Sequence, residues 1–184
     1  IPSILAGLNQ CEAGWEIYST KSEPFWAQLS KLDECKIIPF ASRGITLASE
    51  TALPSVVFVP NRQLGEVIGI ASNTVIQAPL VLIVEDHPLL APQLSPREFA
   101  SRAGLCVVEP CDPSEIEQCA IAAVWMSMTS KTPAMLVAHH SLLGSAASKE
   151  SQGDREQYVP RQVEGMTPLR LGRRLELNRQ RTLP

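Results

Sequence analysis

Short apolar runs rich in β-branched residues recur along the chain at 35–40, 55–59, 79–84, 106–109 and 134–138. Each is bounded by polar, glycine or proline positions, so each predicts a strand. The runs at 55–59, 80–84 and 134–138 are apolar at consecutive positions, the pattern of strands covered on both faces by helices. Helical spacing of apolar residues appears between them, at about 23–32, 63–74 and 95–103, and again from Asp112 onward. In that last segment Asp112 is the natural N-cap and Pro113 suits the first turn. Glu115 and Glu117 oppose the helix dipole. Ile116, Ala120, Ala123, Val124 and Met128 form its expected buried stripe. Strands and helices in this alternation predict an α/β fold, a mainly parallel sheet flanked by helices. Ligands in such sheets bind beyond the carboxyl ends of the strands, so the loops after Val59, Val84 and Val108 are the expected edges of a site.

Charge divides the chain near residue 146. Residues 1–145 hold 8 Lys/Arg against 14 Asp/Glu, a net of −6, and residues 146–184 hold 8 against 5, a net of +3, giving −3 in all. The expected organisation is an α/β domain over 1–145 and a basic, irregular tail over 146–184. The tail has too few apolar residues to fold alone. It reads either as disordered or as ordered by docking on a partner along Tyr158, Val159, Val163, Met166, Leu169, Leu171 and Leu175. The mild acidity argues against a general nucleic-acid binder. No apolar run reaches the ~18 residues of a membrane span. The opening Ile1-Pro2-Ser3-Ile4-Leu5-Ala6 does not read as an intact secretory signal. Cys11, Cys35, Cys106, Cys111 and Cys119 are odd in number and show no C-x-x-C spacing, so they read as buried, reduced thiols of a cytoplasmic protein and not as a metal site.

Motifs that carry chemistry are sparse. The chain has no G-x-x-x-x-G-K-[ST], no G-x-G-x-x-G and no G-x-S-x-G, which removes P-loop, dinucleotide-binding and nucleophile-elbow chemistry of the usual kinds. His87, in Val84-Glu85-Asp86-His87-Pro88, reads as a loop residue bonded to its neighbours or as a group facing a ligand. His139 and His140 follow the last predicted strand without an acid or cysteine set that would make a metal centre. Glu85 and Asp86 point to opposite faces if extended and do not form a carboxylate pair. Trp15, Trp26 and Trp125 are read as core or interface packing.

A family resemblance lies in the segment 55–86, Ser-Val-Val-Phe-Val-Pro-Asn-Arg-Gln-Leu-Gly-Glu-Val-Ile-Gly-Ile-Ala-Ser-Asn-Thr-Val-Ile-Gln-Ala-Pro-Leu-Val-Leu-Ile-Val-Glu-Asp. It resembles the pyrimidine-binding domain of thiamine diphosphate enzymes, above all the small subunits of sulfopyruvate and phosphonopyruvate decarboxylases. There a strand ends in a Gln-Asn-Ser-Gly-Leu-Gly-Asn loop before a helix. Asn61, Leu64 and Gly65 keep that loop; Pro60, Arg62, Gln63 and Glu66 depart from it. Val108-Glu109-Pro110-Cys111-Asp112 is similar to a Leu-Glu-Pro-Ser segment of indolepyruvate ferredoxin oxidoreductase. The stretch from Leu5 to Phe25 resembles that domain's opening helix, glycine turn and second helix.

The resemblance, spanning about 4–145, implies a thiamine diphosphate-binding, pyrimidine-domain-like fold. It also implies the pyrimidine-side subunit of a heteromeric 2-oxo acid decarboxylase or carboligase. Ser42, Arg43, Asn61, Gln63 and Leu64 would line the cofactor, and Glu85, Asp86 and His87 would be substrate-side groups. The family's diphosphate domain carries a Gly-Asp-Gly segment that this chain lacks. A diphosphate-binding partner subunit would therefore hold the diphosphate and its Mg2+. In the family a Glu after the second strand bonds the aminopyrimidine and activates the cofactor. Here Ala41-Ser42-Arg43-Gly44 stands in that place. Either activation differs, or the chain is a non-catalytic structural or regulatory subunit, a degenerate copy. An unrelated flavodoxin-like binding module is the remaining alternative.

Overall fold

In the computed structural model the described residues are 2–11, 14–20, 35–86 and 95–139. They form α1 (Pro2–Cys11), β1 (Glu16–Thr20), β2 (Cys35–Ile38), α2 (Ala41–Glu50), β3 (Ser55–Val59), α3 (Leu64–Ala71), β4 (Leu80–Asp86), α4 (Pro96–Ala103), β5 (Cys106–Val108), α5 (Ile116–Ser130) and β6 (Ala134–His139). Single 3-10 turns at Asn61–Gln63 and Pro113–Glu115 lead into α3 and α5. The strands make one six-stranded sheet in the order β2-β1-β3-β4-β6-β5, and every pair is parallel. The α/β architecture expected from the strand–helix rhythm is therefore present.

The topology dictates which helix covers which face. Steps from β2 to β3, β3 to β4 and β4 to β5 all move the same way across the sheet, so right-handed crossovers put α2, α3 and α4 on one face. The step from β5 back to β6 reverses direction, and α5 lies on the other face beside α1. Strand alternation then divides the core in two. Tyr18, Val57, Val59, Leu82, Val84, Met135 and Val137 pack under α2–α4, while Ile17, Val56, Phe58, Val81, Ile83 and Leu136 pack under α1 and α5.

Four expectations are corrected. Residues 16–20 form strand β1, where the resemblance to an opening helix, turn and second helix put no strand; Ile17, Tyr18 and Thr20 are strand-favouring, and the segment pairs with both β2 and β3. The run at 35–40 ends as a strand at Ile38, and α2, unforeseen, begins three residues later. Met128 is exposed (44%), and Ser127 takes the inward position instead. Its hydroxyl accepts from the Leu80 N–H at 3.0 Å and is 3.1 Å from the Leu80 and Thr132 carbonyls, so it ties α5 to the start of β4. None of the cysteines is fully buried: four are half-buried and Cys111 is exposed. The expected helix at 23–32, Trp26 and the tail at 146–184 lie outside the described residues.

Other local signals hold as expected. Asp112 caps the turn before α5, its carboxylate accepting from the Ser114 N–H at 2.7 Å. The helix expected at 95–103 is α4, and the structure adds a capping box formed by Ser95 and Glu98. Trp15 is buried and donates to the Leu8 carbonyl at 3.0 Å.

Two glycines mark where helices come closest to what they cover. A Cβ on Gly7 of α1 would sit 2.4 Å from the Glu117 carbonyl oxygen of α5; one on Gly44 of α2 would sit 2.7 Å from Ile38 Cδ1. The first obstacle is backbone and the second is the end of a flexible side chain. Alanine gains about 1 kcal/mol of helix propensity at either position. Overpacking costs about 1–3 kcal/mol. Gly7→Ala is therefore expected to be net destabilising by about 1–2 kcal/mol, and Gly44→Ala to stay within about 1 kcal/mol of wild type. Urea unfolding of both variants checks the order; Gly44→Ala emerging as the worse one refutes it.

An ion pair secures the outer strand. Lys36 pairs with Glu16, which also accepts from the Tyr18 hydroxyl, and the Lys36 ammonium lies 5.4 Å from the Tyr18 ring centre. The Lys36 bond first, then the Tyr18 bond, hold the Glu16 carboxyl below its ordinary pKa. Burial and the Glu16 bond push the Tyr18 phenol up. A lowered folded-state pKa stabilises above the unfolded value, about 4.3, and that contribution is lost as pH falls through the folded value. The stability gap between wild type and Lys36→Met should therefore be widest near neutrality and narrow on acidification below about pH 4.3. Urea midpoints from pH 7 to 3 read it, and a gap that is flat or widens in acid contradicts the assignment.

Candidate functional site

The central strands change character at their carboxyl ends. Val56 through Val59 and Leu80 through Val84 are buried apolar side chains, after which come buried Glu85 and half-buried Asp86. β1 likewise ends in buried Ser19 and Thr20. Polar side chains follow the apolar runs there, so the carboxyl edge is where this sheet can meet a polar ligand. The topology points to the same edge. From β1 the chain runs outward to β2, then returns to the far side of β1 as β3, which makes the β1/β3 boundary a switch point.

Ser42, Arg43, Asn61, Gln63, Leu64, Glu85 and Asp86 all come from the carboxyl ends of β2, β3 and β4 or from the helix starts that follow them. Four of these residues are tied into bonds across that edge. Gln63 Oε1 accepts the Ala41 N–H at 2.7 Å. Ala41 is the first residue of α2, whose N-cap position is Phe40 with no capping side chain. Gln63, 22 residues downstream, thus caps α2 from a neighbouring loop. Ser42 donates to Glu66 Oε1 at 2.7 Å, linking the first turns of α2 and α3. Asn61 Nδ2 donates to the Glu85 carbonyl at 3.3 Å and joins the end of β3 to the end of β4.

The remaining residues divide by environment. Leu64 is buried among the core side chains under α2–α4, so its contribution is packing. Arg43 is exposed on the first turn of α2. Glu85 and Asp86 are consecutive residues of β4 itself and alternate across the sheet, as expected. His87 and His140 lie outside the described residues. His139 is the last residue of β6 and stands in register with Asp86. Sequence reading missed that pairing because it needs the β4–β6 adjacency, while β5 intervenes in the chain. It also passed over Glu66, which the helix period alone makes an ordinary first-turn acid.

Other chemistry is limited. Burial raises the Cys35 and Cys106 thiols, and burial with the nearby Glu115 carboxylate pushes Cys119 up to about 11. These three are thiols and not thiolates at neutral pH. Among the described residues no three His, Cys, Asp or Glu side chains converge as a metal site. Also among them, no helix is long and apolar enough to cross a membrane. A shallow cavity of about 240 Å3 lies near the amino ends of the strands, lined by Pro54, Ile76, Pro79, Met128 and Lys131 among others. Gln77, Ser127 and Lys131 are its polar lining residues, and they offer no acid–base pair.

Because Gln63 caps a helix that has no cap of its own, its acceptor oxygen is what matters. Gln63→Ala leaves the Ala41 N–H without it and should cost about 1 kcal/mol, with faster hydrogen exchange at Ala41. Gln63→Glu keeps an acceptor and adds a charge favourable to the helix dipole, and should hold wild-type stability. Equal destabilisation by both substitutions would show that the cap is not what Gln63 supplies.

Comparison with protein-family models and with curated proteins finds no match for this chain.

Proposed function

We propose that the chain is the pyrimidine-side subunit of a heteromeric thiamine diphosphate-dependent enzyme that decarboxylates or couples a 2-oxo acid. One observation carries this reading. The adjacency β2-β1-β3-β4 gathers Ser42, Arg43, Asn61, Gln63, Glu85 and Asp86, drawn from three separate segments, at one carboxyl edge beside the switch point. The resemblance of 55–86 to the cofactor loop requires that grouping. Five free cysteines accord with a cytoplasmic, reducing setting.

The fit of these residues to the cofactor is partial. Ser42, Asn61 and Gln63 would form one wall of a cofactor cleft, and the bonds that interlock the first turns of α2 and α3 would hold that wall in place. Bound thiamine diphosphate supplies a nucleophilic carbon for the 2-oxo carbonyl. This chain's share would be to bind and orient: Asn61 fixes the loop against β4, and Asp86, half-buried at the end of β4, would face the substrate. The diphosphate and Mg2+ fall to the partner subunit. Arg43, a donor where the family has an acid, cannot accept a proton from the pyrimidine nitrogen. That favours the second reading, a degenerate copy that supports a catalytic paralogue.

The complex isolated from its source is titrated calorimetrically with thiamine diphosphate and Mg2+. One cofactor bound per copy of this chain, and none by the chain alone, is the expected result; a complex that binds no cofactor overturns the reading. Arg43→Glu in the same complex separates the two versions. If the site is active or has only lost its acid, 2-oxo acid turnover should rise roughly tenfold or more. Unchanged turnover in a folded, cofactor-bound complex favours the degenerate subunit.

A further inference from the structure

The two helix layers differ in kind. α2, α3 and α4 carry Arg43, Glu50, Glu66, Arg97, Glu98 and Arg102. α1 and α5, 10 and 15 residues long, carry one charged side chain between them, Glu117, which accepts from Gln10. On a surface open to water a layer of that size ordinarily carries several charges. Depletion of charge with Trp and Met on display is the composition of an interface core.

α5 has the corresponding pattern. Its inward stripe is Ile116, Ala120, Ala123, Val124 and Ser127, which meets the sheet and α1. A second stripe, Gln118, Ala122, Trp125 and Thr129 at spacings of four, three and four, runs along the outer side with Ile121 and Met128 beside it. Trp125 is 65% exposed. An uncharged outer side that displays Trp125 and Met128, on a helix whose inner side already packs the core, marks a surface normally covered by a partner.

We infer that the outer face of the α1–α5 layer is a dimer interface between two copies of this chain, with the α5 helices antiparallel about a two-fold axis. Charge selects this occupant. The face is uncharged, so two copies meet there without like-charge contact, although each chain is net −3. The charges that flank the stripe are opposite and at opposite ends, Glu117 in the first turn and Lys131 at the C-cap. An axis beside the Ala122–Trp125 step sets each Trp125 against the other copy's Ala122. It also brings each Lys131 toward the other copy's Glu117, and antiparallel helix dipoles add to the attraction. α5 is about 22 Å long and the paired helices lie about 10 Å apart. A face two helices wide, about 20 Å, is then on the order of 400 Å2 per copy, the low end for specific association, so the dimer is a weak one. The inference is independent of the cofactor reading, since it concerns the helix layer and not the carboxyl edge.

Sedimentation velocity of the full chain under reducing conditions, from roughly 1 to 100 µM, tests it. The expected result is a concentration-dependent monomer–dimer equilibrium. Trp125→Ser should abolish it, and Gln118→Lys, an exposed position that packs against nothing in the core, should weaken it at least about tenfold. Arg102→Ser on the opposite layer should leave it unchanged. Far-UV circular dichroism and urea midpoints verify folding, and Gln118→Lys alone decides if Trp125→Ser is unstable. A wild type that stays monomeric up to the limit overturns the proposal, whether another chain, residues 146–184 of its own chain or nothing then covers the face. A dimer undiminished in Gln118→Lys overturns it as well.

Discussion

A parallel sheet whose middle strands are apolar on both faces except at their ends must be covered on both faces, and the described structure follows from that requirement. β3, β4 and β6 present Val, Phe, Leu, Ile, Met and Ala to each side without a polar residue until their ends. Burying a Val, Leu or Phe side chain is worth about 1.5–3 kcal/mol each. Leaving either face to water would forfeit several such terms. Parallel strands also need crossovers, and the direction of each step decides which face receives a helix. The three steps through α2, α3 and α4 run one way and the step through α5 runs back, which gives the distribution seen, α2–α4 over one core and α5 with α1 over the other.

Close coverage leaves its marks at the glycines and at the edges. Gly44 lets α2 lie against Ile38, Val57 and Tyr18, and Gly7 lets α1 approach the α5 backbone. At the carboxyl edge the helix starts lock one another. α2 starts at Ala41, after Phe40 at the N-cap position, with neither a capping side chain nor an acid in its first turn. Its first N–H is served by Gln63, and its second residue, Ser42, reaches Glu66. A polar wall built from mutual caps is stiffer than one built from free side chains, because moving any member breaks a bond on another segment. The same bonds limit what that wall has left for a ligand. Gln63 and Asn61 spend polar atoms on structure, and Leu64 spends its side chain on the core.

The strands and helices that announced themselves in the sequence were those with local signals. Three of the runs are apolar throughout, and α4 and α5 begin with Ser95 and with Asp112-Pro113, each a cap that the chain supplies beside the helix it serves. What was hidden depends on distant partners. α2 has no start signal because its cap lies 22 residues away, so the period of Ala41, Ile45 and Ala48 had nothing to anchor it. β1 contains Ser19 and Thr20, buried at its carboxyl end, and reads as polar until β2 and β3 are known to flank it. Met128 was taken for the core because it continues a helical spacing, and Ser127 displaces it by bonding the Leu80 backbone. Most of the candidate site was visible as strand-end loops. The Gln63–Ala41 and Ser42–Glu66 links and the Asp86–His139 register were not, since each joins segments that only the sheet order brings together.

The two halves of the molecule's surface therefore answer to different demands. The α2–α4 layer is charged where it meets solvent, and its first turns border the carboxyl edge, so its polar side chains serve both solubility and the candidate site. The α1–α5 layer reaches that edge through the first turn of α5, which follows the loop after Val108. Beyond that first turn, it is the layer that gives up charge almost entirely. A helix that merely sealed a core would need one apolar stripe, and Ile116, Ala120, Ala123 and Val124 already provide it. The second stripe around Trp125 adds nothing to that core, because the side chain remains mostly exposed. Exposed Trp costs solubility and contributes no packing within the chain. Its presence on the uncharged layer, one turn from Met128 and between Glu117 and Lys131, is accounted for by a surface that this helix meets outside its own fold.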